Sequence, residues 1–430
     1  GTFDEDERSE LATVTTDGPV RLDFRNAKTM IDPSVTELGT RVRIASNQSD
    51  IENPTGLALS GEVEDFKTQI TFPPKGERKE TIDVQGATQT ATVAFTAQGL
   101  YKYNRDKNAE IDQTVAPVII DNRTKQVITP NGNNVDIEFT PEDNFVGTAS
   151  GISIRRTDNN GYTTDWISKD KTLLPSINEV MDNMDGLYIP TVTPKNIEGV
   201  NKTSTDVQGA TQTGTPEFEL EGTNSNGEKV KVTPDLDYPA KLVDPATGQV
   251  TDEATVTVAG EGTYTIDQAT GKVTFKPEPG FTGTANGVTV SVTAPVGRDK
   301  DGNVPADALK TATAKYIPTV TPITLTPTNK VSEDVQNVPQ TQTPTFELSN
   351  DKTAEITSKK LVDPATGQPT DATTVTVAGE GSYTIDPTTG AVTFVPEKDF
   401  VGTAKGVTVQ ATATIKNEDG KTTTITADAT

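Results

Sequence analysis

The stretch "RDKDGNVPAD" from Arg298 sets Asp299, Asp301, Asn303 and Asp307 close together along the chain. Oxygen ligands at alternating positions are what a calcium loop uses. The bidentate Glu that closes an EF-hand loop is missing, however. Asx-Gly sequences also stand at the equivalent places "TDNNGYT" from Thr157 and "KNEDGKT" from Lys416, so the shared requirement is a hairpin turn and no metal ligand is assigned. The glycine-bearing stretches "VAGEG" (258–262) and "TGTANG" (282–287) neither follow a strand nor open a helix, as a phosphate cradle would. Asp235 and Asp237 read as solvated loop charges, since proximity in sequence does not set glycosidase spacing. No catalytic, cofactor-binding or metal-binding residue is assigned, and the chain reads as a non-enzyme.

Composition narrows the chemistry further. The 430 residues contain no His and no Cys, which removes the commonest general base, thiol nucleophiles, thiolate zinc sites and disulfides. A Ser or Thr triad has no imidazole to activate it. The formal charge of −24 opposes binding to phosphate backbones and anionic lipid surfaces, so nucleic acid is not an expected partner. No apolar run is long enough to span a membrane, and no signal peptide or sorting signal is recognised. The chain is expected to be a piece of something longer.

Repetition organises the chain. "KLVDPATGQVTDEATVTVAGEGTYTID" from Lys241 returns as "KLVDPATGQPTDATTVTVAGEGSYTID" from Lys360, and "YIPTVTP" at Tyr188 returns at Tyr316. "DVQGATQT" occurs at Asp83 and Asp206, with "DVQNVPQT" at Asp334. "VTFKPEPGFTGTANGVTV" from Val273 is echoed from Val392 and, degenerately, from Asp136. Three modules follow, at 81–190, 191–318 and 319–430, behind a partial or small N-terminal β-domain at 1–80. The last module stops at "TADAT", short of a third YIPTVTP. Within each module, Val, Ile, Tyr and Phe alternate with Thr, Ser and Lys, the period-2 pattern of half-buried strands. "DPATG" and its relatives supply turns between them. The expected fold is all-β, with tandem β-sandwich modules in an extended beads-on-a-string array and one short helix near 176–185. Core positions are expected at Phe218, Tyr264, Phe275 and Phe281, and at Phe346, Tyr383, Phe394 and Phe400.

These ordered blocks, "LVDPATGQ", "VAGEGTYTID", "VTFxPExxFxGTAxGVTV" and "YIPTVTP", resemble the CshA-type fibril repeat of streptococcal and related Gram-positive surface adhesins. The resemblance is full over 191–430, degraded over 81–190 and faint over 1–80. It implies an extracellular, cell-wall-anchored stalk that is monomeric and does not insert into a membrane. A host glycoprotein or microbial surface partner would be held by regions outside the repeats. Two other readings stand beside it: a direct adhesin that binds through 1–190, and an accessory array of a secreted glycoside hydrolase.

The first module departs from the pattern. The distance from turn to core Phe is 31 residues between Asp244 and Phe275, but only 18 between Asp121 and Phe139, so a hairpin has been trimmed. "DNRTKQ" also lacks the Gly of "DPATGQ". The module gains "KTLLPSINEVMDNMDG", where Ser176 and Glu179 could form a capping box, and Trp166 beside Tyr162 could be either a binding hot spot or a core contact. "FPPKGERKE" from Phe72 is expected to be a linker, and YIPTVTP an extended proline joint between modules. Self-formed Lys–Asn or Thr–Gln crosslinks are a further option, although no Lys–Asn–acid set recurs.

Overall fold

The computed structural model describes residues 8, 9, 11–20, 22, 37–53, 55–57, 59–69, 71–128, 135–165, 184–224 and 226–430. The chain forms two compact units: residues 1–194 with 297–305, and residues 195–296 with 306–430. The regular structure of the described residues is strand, apart from two three-residue 3-10 turns at Gln48–Asp50 and Ala306–Ala308. The expected helix near 176–185 falls largely on 166–183, outside the described residues. Met184 and Asp185 are non-helical and lead into the strand Gly186–Thr193.

The second module is a sandwich of two sheets. One runs in the order Lys202–Val207, Leu309–Thr321, Val288–Pro295, Lys241–Val243, Val250–Thr251, with Gly283–Thr284 also on the long strand. The other runs Gln212–Gly214, Lys272–Pro277, Gly262–Asp267, Thr255–Val258. Alternation aims Leu242, Val288, Val290 and Tyr316 from the first sheet at Tyr264, Ile266, Val273 and Phe275 from the second, and all are buried. Tyr264 lies on Phe275 with ring centroids 4.7 Å apart, and Phe281 meets Phe275 edge-on at 6.3 Å. The third module repeats this packing: Tyr383 stacks on Phe394 at 4.6 Å, and Phe400 meets Phe394 at 6.2 Å. The outward faces explain the threonine content. Opposed threonines bond across strands, as in Thr255–Thr265, Thr293–Thr311 and Thr374–Thr384, so one β-branched residue serves both strand propensity and cross-strand bonding.

Two expectations are corrected. YIPTVT is no linker but a closing strand inside the sheet, with Tyr188 and Tyr316 almost wholly buried. It pairs in parallel with the strand that opens its own module: Leu187–Thr193 with Arg78–Val84, and Tyr316–Thr321 with Lys202–Val207. Proline is tolerated there because the antiparallel neighbour is interrupted at that point, between Thr148 and Ile152. Its carbonyl is still used, since Ala149 N–H donates to Pro190 O at 3.0 Å. Nor is FPPKGERKE a linker. Thr71–Gly76 pairs with Phe95–Tyr101 across a register shift between Phe72 and Lys75, and Phe72 is buried. The two prolines sit at that irregularity, where a missing donor costs little, and Gln98 Nε2 donates to Pro73 O at 2.7 Å. Farther upstream, Glu37–Ile44 and Glu62–Gln69 form a two-stranded antiparallel sheet.

Candidate functional site at the module joint

The Asx-Gly sequences form the same turn three times. Asp158, Asp299 and Asn417 each donate N–H to the carbonyl four residues on, and the following Gly161, Gly302 and Gly420 each donate back to the Asx carbonyl. The three glycines have φ of 86°, 84° and 81°, a region that side chains oppose. Asp299 spends its carboxylate on the turn, accepting from Asp301 N and Asn303 N at 2.9 Å each. The hydrogen bond from Asn303 N holds its carboxyl below the ordinary range, against the opposing effect of burial. Asp301 pairs with Lys300 at 2.6 Å. Among the described residues no three acidic side chains gather as a metal cluster, and the backbone of Asp299–Asn303 forms an Asx-Gly turn. Asp235 likewise accepts from Asp237 N and Tyr238 N.

The glycine-bearing blocks meet each other. Glu261 of VAGEG turns inward, where Oε1 accepts from Asn286 N at 2.8 Å and Asn286 Nδ2 at 2.6 Å, and Tyr264 OH donates to Oε2 at 3.2 Å. Burial first, and then the charge of Glu261, push the Tyr264 hydroxyl far up in pKa. Gly262 is needed because a Cβ there would lie 2.2 Å from the Lys276 carbonyl oxygen. VAGEG therefore latches the core through Glu261.

Tips and turns come together at the joint between the second and third modules, inside the second unit. The strand Lys202–Val207 ends in the turn Gln208–Gly209, and Gln208 is buried. Gln208 N donates to Thr321 O at 2.8 Å, its Oε1 accepts from Ile323 N at 3.4 Å, and its own carbonyl accepts from Thr353 Oγ1 at 2.6 Å. Lys352 Nζ reaches Asp206 Oδ2 at 2.5 Å. Burial works to raise the Asp206 pKa, but the Lys352 ammonium and the Val207 N–H outweigh it, so the net shift is downward. Beneath these contacts Ile323, Ala354 and Ile415 are buried together, with Val207, Leu348 and Ile425 packed on them. The third module's turn residue Asn417 donates through Nδ2 to Pro277 O at 2.7 Å. Gly209, at φ 83°, leaves room for this contact: a Cβ would lie 3.0 Å from Lys416 O.

Within the first unit, the buried Gln85 repeats the backbone bond, its N–H donating to Thr193 O at 2.9 Å, while its side chain differs and donates through Nε2 to Asp143 O at 2.6 Å. There Arg298 brackets Phe145, because Arg298 N donates to Asn144 O and Val146 N donates to Arg298 O. A second repeated device ties the two sheets of a module together. Thr81 Oγ1 donates to Gln89 Oε1 at 2.5 Å and lies 2.9 Å from Tyr188 OH, while Gln89 Nε2 donates to Thr191 O. Ser204, Gln212, Tyr316 and Thr319 repeat the set. In the third module Ser332 donates to Gln340 at 2.5 Å.

Sequence reading did not assign DVQG to the joint. The available signal was its threefold recurrence with Gly86, Gly209 and Asn337 at one position, all residue types that accept positive φ. Trp166, Ser176 and Glu179 lie outside the described residues. Tyr162 is half-buried, and its N–H donates to Asp158 Oδ1 at 2.8 Å.

The model of the surface adhesin CshA repetitive domain matches residues 71–167, 194–320 and 322–430. The chain belongs to this family of surface adhesin repeats. Its modules are therefore CshA repeats, of a kind found outside the cell. No curated protein matches the sequence. Among solved structures, the chain is similar to human CDH23 EC21-23 at 13% identity, covering 84% of this chain and 100% of that one with a TM-score of 0.27. It is also similar to mouse Cadherin-23 EC22-24, at 11% identity, 83% and 98% coverage and a TM-score of 0.27. The I9-I11 tandem from titin aligns at 11% identity, 83% and 96% coverage and a TM-score of 0.21. No helix among the described residues is long and apolar enough to cross a membrane.

Proposed function

We propose that these repeats are a load-bearing stalk section of a surface adhesin, anchored at the cell wall and holding an adhesive tip away from it. The stalk would be a monomer, without catalysis, and its host or microbial partner would be held by other regions of the adhesin. The observation that carries this reading is the parallel pairing of the opening and closing strands, Lys202–Val207 with Tyr316–Thr321 and Arg78–Val84 with Leu187–Thr193. In such a pair, tension applied through the module's two ends pulls the strands along each other, so the whole ladder of bonds is loaded together. An antiparallel closing hairpin would unzip one bond at a time. The Gln212 clamp adds the second sheet to that ladder, and the buried joint at Gln208 passes load to the third module without a free linker.

Stretching the chain between its ends in a force spectrometer tests the reading, with modules told apart by released contour length. The second module is expected to unfold in one discrete step, and Gln212→Ala, which removes the clamp on the closing strand, is expected to lower its unfolding force. An unchanged force for Gln212→Ala, or extension without discrete steps, would count against a load-bearing role.

A further inference from the structure

The Asx-Gly turn of the first module buries a carboxylate where its two counterparts do not. Asp299 is half-buried and Asn417 carries no charge, whereas Asp158 has no exposed surface. Asp158 Oδ1 accepts from Asn160 N at 3.0 Å and from Tyr162 N at 2.8 Å. Its Oδ2 has no hydrogen-bond partner among the described residues. An ionised oxygen kept from solvent without a donor is the costly state of a buried acid, and protonation removes that cost.

The same turn anchors a hairpin. Asn160, itself buried, donates through Nδ2 to Leu100 O at 3.0 Å, accepts on Oδ1 from Lys102 N at 2.8 Å and accepts on its carbonyl from Lys102 Nζ at 2.6 Å. These bonds hold the tip between Phe95–Tyr101 and Asn104–Asn108, where Tyr101 meets Tyr103 edge-on at 5.5 Å and Tyr103 is exposed. The tip is thus bound through Asn160, whose own N–H rests on Asp158. Beside the turn, Asn159 Oδ1 accepts from Glu110 N at 3.1 Å, and Asp112 N donates to Thr157 O at 2.9 Å.

The charges on these elements leave the burial of Asp158 in control. Lys102, on the tip, attracts the ionised form. Glu110, on the neighbouring segment, is exposed. Asp112 spends its carboxylate on Thr114 and lies in the field of Arg156, while Tyr162 belongs to the turn itself. Burial outweighs both the backbone donors and the Lys102 ammonium, so the Asp158 carboxyl lies above the ordinary range.

We propose that Asp158 is an acid-operated latch on the Tyr101–Tyr103 tip: its protonated form fixes the 158–162 turn and the hairpin bound to it, and ionisation at higher pH loosens both. A group whose folded pKa is raised gives its full stability below the unfolded value, here an ordinary 3.8, and loses it as pH rises through the folded one. Asp112 and Asp121 in the same module have lowered values and lose their contributions as pH falls to 3.8 and below, so the latch is read above that range. It does not depend on the stalk role.

The test follows hydrogen-exchange protection of the Lys102, Asn160 and Tyr162 amides in the full chain between about pH 7.5 and about pH 4.5. Protection is expected to rise by about threefold or more on acidification, in step with titration of the Asp158 carboxyl followed by its carbon-13 shift. Asp158→Asn, which places here the residue type found at Asn417, is expected to hold the acid level of protection across the whole range. Protection that is flat with pH in the unaltered chain, that falls on acidification, or that responds equally in Asp158→Asn would each overturn the proposal.

Discussion

The first and second modules share opening strand, closing strand, Tyr–hydroxyl–Gln clamp and joint turn, yet among the described residues the second has a four-stranded second sheet and the first a two-stranded one. What persists is the parallel pair, its clamp and the turn that links it to the next module. What varies is a hairpin of the second sheet that touches none of those parts. The comparison teaches that the closing parallel pair can be kept while a hairpin of the second sheet is trimmed.

The largest expected difference lies at the matching phenylalanines. Phe275→Ala removes a ring with no exposed surface and should cost about 3–5 kcal/mol, whereas Phe139→Ala, half-buried, should cost less than about 2 kcal/mol. Urea unfolding with hydrogen exchange to assign each module reads both, and equal costs would break the comparison. At the joint, Gly209→Val combines positive φ with a close approach to Lys416 O and should cost about 1–3 kcal/mol. The loss should appear as faster exchange at Gln208, Thr353 and Asn417 before either module unfolds.

A smaller effect separates the first turns of the modules. Lys125 sits at φ 61°, where Gly248 sits at 71° and Gly367 at 70°. Lys125→Gly should stabilise the first module by up to about 1 kcal/mol, the left-handed penalty of about 1–2 kcal/mol less the extra chain entropy of glycine. Gly248→Lys should do the opposite, with both read by thermal denaturation. Smallest is the ion pair across the joint. Asp206 has its folded pKa lowered from an ordinary 3.8, so the pair's contribution is present at neutral pH and lost as pH falls below about 4. Lys352→Ala should cost roughly 0.2–1 kcal/mol, less in high salt. A denaturation series over pH and salt checks the sign.

The sandwich class was legible because alternation and turn chemistry are local: Val273, Phe275 and Tyr264 announce one face, and the Asp-Gly blocks announce where the chain reverses. The trimmed hairpin was legible as a missing length between Asp121 and Phe139. The joint was not, because it depends on Gln208, Thr353 and Asn417, which are far apart in sequence and individually unremarkable polar residues. The role of YIPTVT was misread because proline argues locally against a strand, whereas the interruption that tolerates it belongs to the neighbouring strand.

The sequence by itself determined the repeat, the strand-forming alternation, the turns and the absence of imidazole and thiol chemistry, since each of these depends on residue type and near neighbours. Tertiary structure alone decided that the first and last strands of a module lie side by side in parallel, and that a glutamine turn becomes a buried joint. Those outcomes depend on which distant segments share a ladder, and a two-residue side-chain period carries no information about the partner across it.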